Sequence, residues 1–452
     1  MSKDKRQIEE IQAQGLTSIG FSNRMDPSPT QNSQNASKTS FKIMIMTDNH
    51  MGYAEKNPLL HNDSFEAVEE ILLASSNNQV DFVIQGGDLF HQEVPSQSTL
   101  KRGIEIFANA VYGDKLHQFS IINQENPNSE INFKSGKVQI CLPIFCIHGN
   151  HDYPQLQNSK SVLELLSTAK LVNYFGKHTS MEFLHLKPIC FQKRHPDNPD
   201  HQVGIALYGI GHMRDQSLRY LLKKKKYEIH PPEDEDTVSY FKILVMHQNR
   251  FKGAQQGVPK KNSIEFKHLP QGFDLVIWGH EHDCYTDFEW IHCNRTRVYQ
   301  PGSSVAISLT HGESLAKHVG ILEVDWQCKA TLKPILIRSQ RRIGFRLMEY
   351  DDLYCKVLSS FKDFGKKDNR FELIMAFEDH LRDIFRNVLK DLDQLDYGYH
   401  LDSSKCGLDS EEILLKRPLV RLRIRNCPQR KDQVLFRANI LEKEFKQKAV
   451  NE

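Results

Sequence analysis

Five short apolar segments, each followed by histidine or aspartate either directly or after one or two glycines, constrain the fold of this chain more than any other feature. Each apolar run is too short for a helix and is typical of a buried β-strand. The runs with their polar ends occupy residues 42–50, 80–88, 143–152, 242–247 and 274–282. Ligand-binding residues of α/β sheets collect outside the carboxyl ends of the strands, so we expect these polar ends to face one crevice.

The third segment shows the pattern most clearly. Residues 143–147 are mostly apolar and lead through a histidine to Gly149, Asn150, His151 and an aspartate. Gly149 should let the backbone turn where the strand stops. Asn150 would then offer a neutral carbonyl oxygen to the crevice, and His151 an imidazole.

The polar strand ends have the chemistry of a metal site. A lone histidine or aspartate after a strand is usually a cap or turn residue. Five such ends in register would instead bring two carboxylates, an amide and several imidazoles together, where they would repel and desolvate one another unless cations held them. Oxygen and nitrogen donors without thiolate favour a pair of Mn, Fe or Zn ions over a cysteine-type structural zinc site.

The motif series resembles a known superfamily. In chain order the strand ends read D-x-H, G-D, G-N-H-D, H and G-H-x-H, which is similar to the calcineurin-like metallophosphoesterases. Within that superfamily, longer strings resemble the double-strand-break repair nucleases of the meiotic recombination eleven and SbcD type. These strings lie at residues 86–91, 148–152, 247–250, 277–282 and 300–304.

The resemblance implies a two-metal centre. Three ligands would hold each ion and one carboxylate would bridge the pair. The first ion would bind Asp48, His50 and His282, the second Asn150, His247 and His280, and Asp88 would bridge them. Two Mn²⁺ ions are expected, with Mg²⁺, Fe²⁺ or Zn²⁺ as alternatives.

The resemblance also implies catalytic roles for two further histidines. His151 would be the general acid that protonates the leaving 3′ oxygen, or else a hydrogen-bonding residue behind the ligands. His91 would help to place the scissile phosphate, or else orient a ligand. His148 is expected to be structural, and Glu281, between the two histidines of the H-x-H pair, is expected to face solvent.

The function implied is metal-dependent DNA cleavage in double-strand-break repair, as a 3′-to-5′ exonuclease on duplex ends and an endonuclease on single strands. One alternative is a calcineurin-type phosphatase using the same metals. The string G-D-L-F-H, in place of the G-D-Y-V-D-R-G of Ser/Thr phosphatases, opposes it. Another alternative is a DNA-end-binding scaffold without essential catalysis, which the complete ligand set opposes.

Three parts of the chain are predicted from composition and patterning, and the resemblance implies the nuclease and capping roles of the second and third. Residues 1–40 are polar and are expected to be a disordered tail. Residues 41–337 should form an α/β nuclease domain, a sandwich of two mixed sheets flanked by helices. Strands near 297–300, 319–324 and 331–337 are expected to complete its second sheet. Residues 338–452 should hold a linker at 338–342 and a smaller α+β capping domain.

A stripe of arginines marks the predicted capping domain. Residues 418–425 alternate with a period of two, which indicates a strand with one apolar and one basic face. The apolar face would carry Val420, Leu422 and Ile424, and the basic face Arg421, Arg423 and Arg425. Such a face could be merely solvated or could contact phosphates. The resemblance to a domain that holds duplex DNA over the nuclease site favours DNA contact.

Composition limits the environment. The net charge of +2 is too small to indicate a nucleic-acid partner by itself. Nine cysteines without a C-x-x-C pair suggest reduced thiols. No apolar run approaches the roughly 18 to 20 residues of a membrane span, so we expect a soluble, intracellular protein without membrane contact.

Partners are implied by the resemblance alone. They are DNA ends and single-stranded DNA, a second copy of the chain in a homodimer, a nibrin-type protein and an SMC-like coiled-coil ATPase, all in the nucleus. Family members normally continue beyond the helix predicted near residues 446–450 into helices that bind the ATPase. This chain stops at residue 452, which leaves the ATPase contact open.

Overall fold

The computed structural model describes most of the chain from residue 39 onward. The described residues are 39–122, 131–134, 136, 138–154, 160–178, 180, 182–252, 262–359, 370–394 and 418–425. Residues 39 and 40, the last two of the predicted tail, already belong to the first strand. The rest of that tail and the helix predicted near residues 446–450 lie outside the described residues.

The described residues contain seventeen strands and six α-helices. The strands are β1 (Thr39–Met46), β2 (Phe82–Gln85), β3 (Ser120–Ile121), β4 (Ile144–Cys146), β5 (Asn173–Tyr174), β6 (Leu184–Leu186), β7 (Ile189–His195), β8 (Asn198–Ile210), β9 (Tyr227–Ile229), β10 (Ser239–His247), β11 (Leu275–Gly279), β12 (Glu289–Ile291), β13 (Thr296–Tyr299), β14 (His318–Asp325), β15 (Ala330–Leu336), β16 (Ile343–Glu349) and β17 (Leu419–Arg425). The helices are α1 (Asp63–Asn77), α2 (Gln97–Val111), α3 (Val162–Thr168), α4 (Asp215–Lys223), α5 (Tyr350–Ser359) and α6 (Arg370–Gln394). None of these helices is both long and apolar enough to cross a membrane.

Two large mixed sheets carry the five strands whose ends are polar. The first has the order β15-β14-β1-β2-β4-β5, and the second β12-β13-β11-β10-β8-β7-β3. Strands β1, β2, β4 and β5 run parallel to one another, as do β8, β10, β11 and β13. Parallel strands end at the same edge of their sheet, so each sheet gathers its polar ends on one side.

The two sheets pack face to face and are covered by helices, which confirms the predicted fold class. Side chains from both sheets form the central core, in which Phe82 stacks on Phe191 at a ring-centroid distance of 4.4 Å. The first sheet packs its outer face against α1, α2 and α3, and the second packs against α4. Because the strands are apolar on both faces, their segments read as continuous hydrophobic runs in the sequence.

The predicted composition of the second sheet is wrong for two strands. Of the three strands predicted to complete it, only β13 joins the second sheet, by pairing with β11. β14 pairs antiparallel with β1 and β15 pairs with β14, so both extend the first sheet. After β13 the chain crosses back and fills the open edge of β1, an outcome that strand patterning alone does not specify.

A smaller α+β part follows, as predicted. β16 and β17 form a parallel pair against which α5 and α6 pack. In β17, Val420 is buried and Leu422 and Ile424 are half-buried, whereas the three arginines of the other face are exposed. The predicted alternation is therefore present, while the domain boundary at residues 337 and 338 stays a prediction.

Residues 338–342, predicted as a linker, are fixed to α1. The backbone amides of Arg338 and Ser339 donate to the carboxylate of Glu70 at 2.8 and 2.7 Å. The guanidinium of Arg341 donates two hydrogen bonds to the buried carboxylate of Asp63, at 2.8 and 3.0 Å. These contacts fix the entry of the chain into β16.

Replacing Arg341 with alanine should lower the free energy of unfolding by about 3–5 kcal/mol, because it removes one member of the buried ion pair between Arg341 and Asp63. Denaturant unfolding would measure the change. The matched control is Arg346→Ala, since Arg346 pairs with Asp391 at 2.6 Å while both side chains are about half exposed. Its loss should cost at most about 1 kcal/mol. Similar losses in the two variants would contradict the prediction.

Candidate metal centre

The carboxyl ends of five strands meet in one crevice between the two sheets. β1, β2 and β4 reach it from the first sheet, and β10 and β11 from the second. The structure brings together there all the side chains that the sequence predicts as metal ligands or catalytic residues. These are Asp48, His50, Asp88, His91, Asn150, His151, His247, His280 and His282.

One group of donors consists of Asp48, His50 and His282. One ligand atom from each lies within 4.8 Å of the other two. The Nε2 atoms of His50 and His282 are 3.3 Å apart, and His282 Nε2 is 3.6 Å from Asp48 Oδ1. This is the set predicted to hold the first ion.

A second group consists of Asp88, His247 and His280. His247 Nε2 lies 3.2 Å from Asp88 Oδ2 and 3.4 Å from the amide oxygen of Asn150. The same Asp88 oxygen is 4.0 Å from His50 Nε2 in the first group. Asp88 therefore lies between the two groups, where a bridging carboxylate is expected.

An unpartnered oxygen shows that these residues fit a cation. Asp48 is buried, and its Oδ2 accepts from Thr47 Oγ1 at 2.6 Å and from the amide of His280 at 3.0 Å. Its Oδ1 has no hydrogen-bond partner among the described residues. Burying a carboxylate oxygen without a partner is costly. A metal ion bound beside His282 would satisfy it.

The charges of the crevice also favour cations. Burial raises the pKa of Asp48, although His247 and His282 partly offset it. Burial would also raise the pKa of Asp88, but the attraction and hydrogen bond of His247 outweigh it and lower that pKa. For His247 itself, burial is outweighed by Asp88 and Asp48, which raise its pKa to about 10. The two buried carboxylates thus attract positive charge to the crevice.

Four of the predicted ligands have a left-handed backbone conformation that is rare outside glycine. The φ angles are 51° at Asp48, 46° at His50, 52° at Asp88 and 80° at His280. Such residues cost on the order of 1–3 kcal/mol each and concentrate at functional sites. Hydrogen bonds from the amides of Asp48 and His50 to the carbonyls of Gly87 and Asp88, both 3.0 Å, hold two of them in place.

Two glycines allow the strand ends to approach one another. A Cβ on Gly149 would lie 2.1 Å from Asp88 Oδ1, and one on Gly87 would lie 2.4 Å from His247 Nδ1. Gly87 has a positive φ of 98°. Gly149 is not among the residues with a positive φ, and its predicted role in turning the backbone stays a prediction. The space beside Asp88 is what requires a glycine there.

Two of the histidines predicted as ligands are oriented by oxygen acceptors. His247 directs Nδ1 to the carbonyl of Gly86 at 2.8 Å. His280 directs Nε2 to the side-chain oxygen of Asn249 at 3.0 Å. Each contact fixes the proton on the outward nitrogen and leaves the other nitrogen as a lone-pair donor for a metal.

Glu313 orients His282, a third predicted ligand, and was missed by sequence reasoning. Its Oε1 lies 3.3 Å from His282 Nδ1, and it also accepts from the amide of Ile307 at 3.1 Å and from Ser308 Oγ at 2.7 Å. Burial opposes ionisation, but the hydrogen bond to His282 and the charge of Lys317 lower the pKa of Glu313 to about 2. It lies 31 residues after His282 in a segment without a strand-end pattern, so no sequence signal marked it.

His151 lies directly beside the central carboxylate. Its amide donates to Asp88 Oδ1 at 2.7 Å, and its ring Nδ1 donates to the carbonyl of His91 at 2.6 Å. The rings of His91 and His151 stack with centroids 5.1 Å apart, and His91 Nδ1 is 3.4 Å from His50 Nδ1. Because a carbonyl can only accept, Nε2 is the nitrogen of His151 that remains for proton transfer.

The structure settles two other residues near the crevice. His148 is buried and its Nδ1 is 2.8 Å from the hydroxyl of Tyr174, which confirms a structural role. Glu281 does not face solvent as predicted. Its carboxylate accepts from the amide of Arg250 at 2.7 Å and pairs with Lys252 at 2.6 Å, so it holds the segment after β10 against the end of β11.

Comparisons with known proteins agree with the motifs. The family model described as calcineurin-like phosphoesterase matches residues 41–284. Double-strand break repair protein MRE11 of Arabidopsis thaliana is 34% identical over 397 residues, covering 85% of this chain and 50% of that protein. The human protein of the same name is 34% identical over 395 residues, covering 86% and 51%. These relatives confirm the resemblance to double-strand-break repair proteins, and the chain spans about half their length.

Among solved structures, a dimetal phosphatase from Danio rerio matches 66% of this chain and 99% of its own, with a TM-score of 0.35 and 12% identity.

Substituting Glu313 with glutamine should weaken Mn²⁺ binding about 10- to 100-fold, because His282 loses the carboxylate that orients its ring. Calorimetric titration of the metal-free protein would measure the affinity. Glu164→Gln is the control, since Glu164 pairs with Lys177 outside the crevice and its loss should leave Mn²⁺ affinity unchanged. Wild-type affinity in the Glu313 variant would refute the orienting role.

Proposed function

The chain belongs to the calcineurin-like phosphoesterase family, and on that basis we propose that it is a metal-dependent DNA nuclease of double-strand-break repair. It would hydrolyse phosphodiesters as a 3′-to-5′ exonuclease on duplex ends and as an endonuclease on single strands. The observation that carries the proposal is the unpartnered Asp48 oxygen among imidazoles, with His151 beside Asp88. The name of the relatives, double-strand break repair protein, supports DNA as substrate.

The seven clustered donors would hold two divalent ions, three for each ion and one shared. The sets are Asp48, His50 and His282; Asn150, His247 and His280; and Asp88 between them. Two Mn²⁺ ions bound there would activate water for attack on phosphorus and neutralise charge on the phosphate oxygens. Oxygen and imidazole donors suit Mn²⁺ and would also accept Mg²⁺, Fe²⁺ or Zn²⁺.

His151 supplies the proton in this proposal. Its Nδ1–H is engaged by the carbonyl of His91, so Nε2 carries the proton that passes to the leaving oxygen as the phosphorus–oxygen bond breaks. The amide hydrogen bond to Asp88 keeps the ring at the edge of the donor groups. His91, stacked on His151, would contact the scissile phosphate and fix its position.

The arginine face of β17 would bind the DNA backbone. Arg421 donates to the carbonyl of Leu309 at 2.8 Å, and Leu309 lies in the same segment as Glu313, the residue that orients His282. A short segment thus ties the basic strand to a predicted metal ligand. A phosphate chain held by β17 would be near the crevice where cleavage occurs.

The three arginines would contribute unequally. Arg425 pairs with Glu349 at 3.1 Å on the surface, which offsets part of its charge. Arg421 and Arg423 are exposed on the same face and would make the main phosphate contacts. Each such contact releases counterions, so DNA binding should depend steeply on salt.

We further infer a nuclear location and assembly as a homodimer with a nibrin-type protein and an SMC-like coiled-coil ATPase. The support is the repair function named for the relatives. Light scattering of the purified chain tests the dimer, and imaging of a tagged chain tests the location.

Replacing His151 with asparagine should reduce Mn²⁺-dependent cleavage of an end-labelled duplex by about 10²- to 10⁴-fold, because the leaving oxygen loses its proton donor. Mn²⁺ binding should persist, since His151 lies outside both ligand sets. The assay compares both proteins with Mn²⁺ and with chelator, and calorimetry checks metal content.

The same preparation would also be assayed for dephosphorylation of a phosphoprotein. Turnover of the phosphoprotein with DNA left intact would replace the nuclease proposal with a phosphatase. DNA binding by the wild type without metal-dependent cleavage would instead identify a scaffold.

The double substitution Arg421→Ala and Arg423→Ala should weaken duplex binding and flatten its salt dependence. The slope of log affinity against log salt is negative, and each lost phosphate contact reduces its magnitude by about 0.9. Fluorescence anisotropy at several salt concentrations measures both effects. Arg386→Ala is the control, because Arg386 is an exposed arginine on α6 paired with Asp383. An unchanged slope in the double variant would argue against contact through β17.

A further inference from the structure

A separate group of two histidines and a glutamate lies on and beside the short β6–β9 sheet. It consists of His185, Glu228 and His230. His185 Nδ1 is 3.2 Å from Glu228 Oε2, His230 Nε2 is 3.4 Å from the same oxygen, and the two nitrogens are 3.4 Å apart. The three atoms form a nearly equilateral triangle.

The triangle has the size that a tetrahedral zinc ion requires. Zn–N and Zn–O bonds of about 2.0–2.2 Å place neighbouring ligand atoms about 3.3–3.6 Å apart. The crevice described above shows similar spacing, for example 3.3 Å between the Nε2 atoms of His50 and His282. The β6–β9 group thus matches both the ideal site and the predicted metal centre of the same molecule.

Hydrogen bonding alone accounts poorly for this geometry. Donors to one carboxylate oxygen approach along its lone pairs, which point roughly 120° apart. In a nearly equilateral triangle the two imidazole nitrogens approach Glu228 Oε2 only about 60° apart, an arrangement that crowds two N–H groups. A shared cation removes the crowding, because both imidazoles then present lone pairs to it.

The backbone holds the three side chains on one face. β6 and β9 pair in a register that places His185 opposite Glu228. His230 follows Glu228 by two residues, so it projects to the same side. Its amide donates to Leu186 at 2.9 Å, and its carbonyl accepts from Tyr208 Oη at 2.9 Å. Leu186 and Tyr208 belong to the core beneath, so these contacts fix the backbone that carries the site.

We propose that His185, Glu228 and His230 form a Zn²⁺ site, independent of the two-metal crevice, that clamps β6 to β9. Two imidazoles and one carboxylate are a donor set that zinc accepts, with the fourth corner open. The side chains of His185 and Glu228 are more than half exposed and that of His230 is one-third exposed, so water occupies that corner. The bound ion joins two strands that are only three residues long.

The test measures the zinc content of the 452-residue chain carrying Asp88→Asn and His280→Ala. These two substitutions remove predicted ligands of the crevice, and the double variant is the background for the comparison. Dialysis against Zn²⁺ alone, followed by elemental analysis, should give one more equivalent per chain in this background than after adding Glu228→Gln or His185→Ala. Zinc should also raise the melting temperature of the background and not of those variants. His201→Ala is the matched control, since the His201 ring neighbours His195 with centroids 5.9 Å apart outside the triangle, and it should keep the extra equivalent.

Equal zinc content with and without Glu228→Gln and His185→Ala would overturn the proposal. Melting curves without metal verify that each variant is folded, and the two substitutions on separate strands provide independent readings. The proposed nuclease could fail its own assays without changing this result, because the zinc measurement uses no DNA.

Discussion

The burial of two carboxylates, Asp48 and Asp88, is the constraint on which the rest of the structure depends. Neither could remain charged in the interior without positive charge nearby. The strand ends of two sheets supply imidazoles around them, and the spacing of those imidazoles leaves room for cations. The strained backbone at both aspartates persists because paired strands on either side hold it. Sheet packing and metal chemistry are therefore a single requirement.

The sequence predicted this arrangement well because both of its components are local. Apolar runs predict strands, and the polar residues that follow the runs lie near one crevice because the strands are parallel. The left-handed conformations at Asp48 and Asp88 could not be predicted, since they arise from contacts between strand ends. Nor could the sheet to which β14 belongs, because patterning indicates that a strand exists and not which edge it joins.

Contacts between distant parts of the chain could not be predicted from the sequence for the same reason. Arg341 and Asp63 are 278 positions apart, and charge patterning in either segment gives no hint of the other. Glu313 reaches His282 from a segment that has no periodicity. Residues that position the predicted ligands thus remained hidden, while the predicted ligands themselves, which follow strand ends, were identified from the sequence and lie together in the crevice. Functional residues at the ends of regular strands can be predicted from the sequence. Residues in loops that hold them in position cannot.

The segment between β13 and β14 has a consequence for energetics. Through Glu313 it contacts His282, and through the carbonyl of Leu309 it contacts Arg421. Displacement of β17 should therefore shift the carboxylate of Glu313, which orients the predicted ligand His282. Thermodynamic reciprocity then applies: if occupancy of the basic face tightens the hold on the ion, the ion must tighten the hold on the nucleic acid by the same factor.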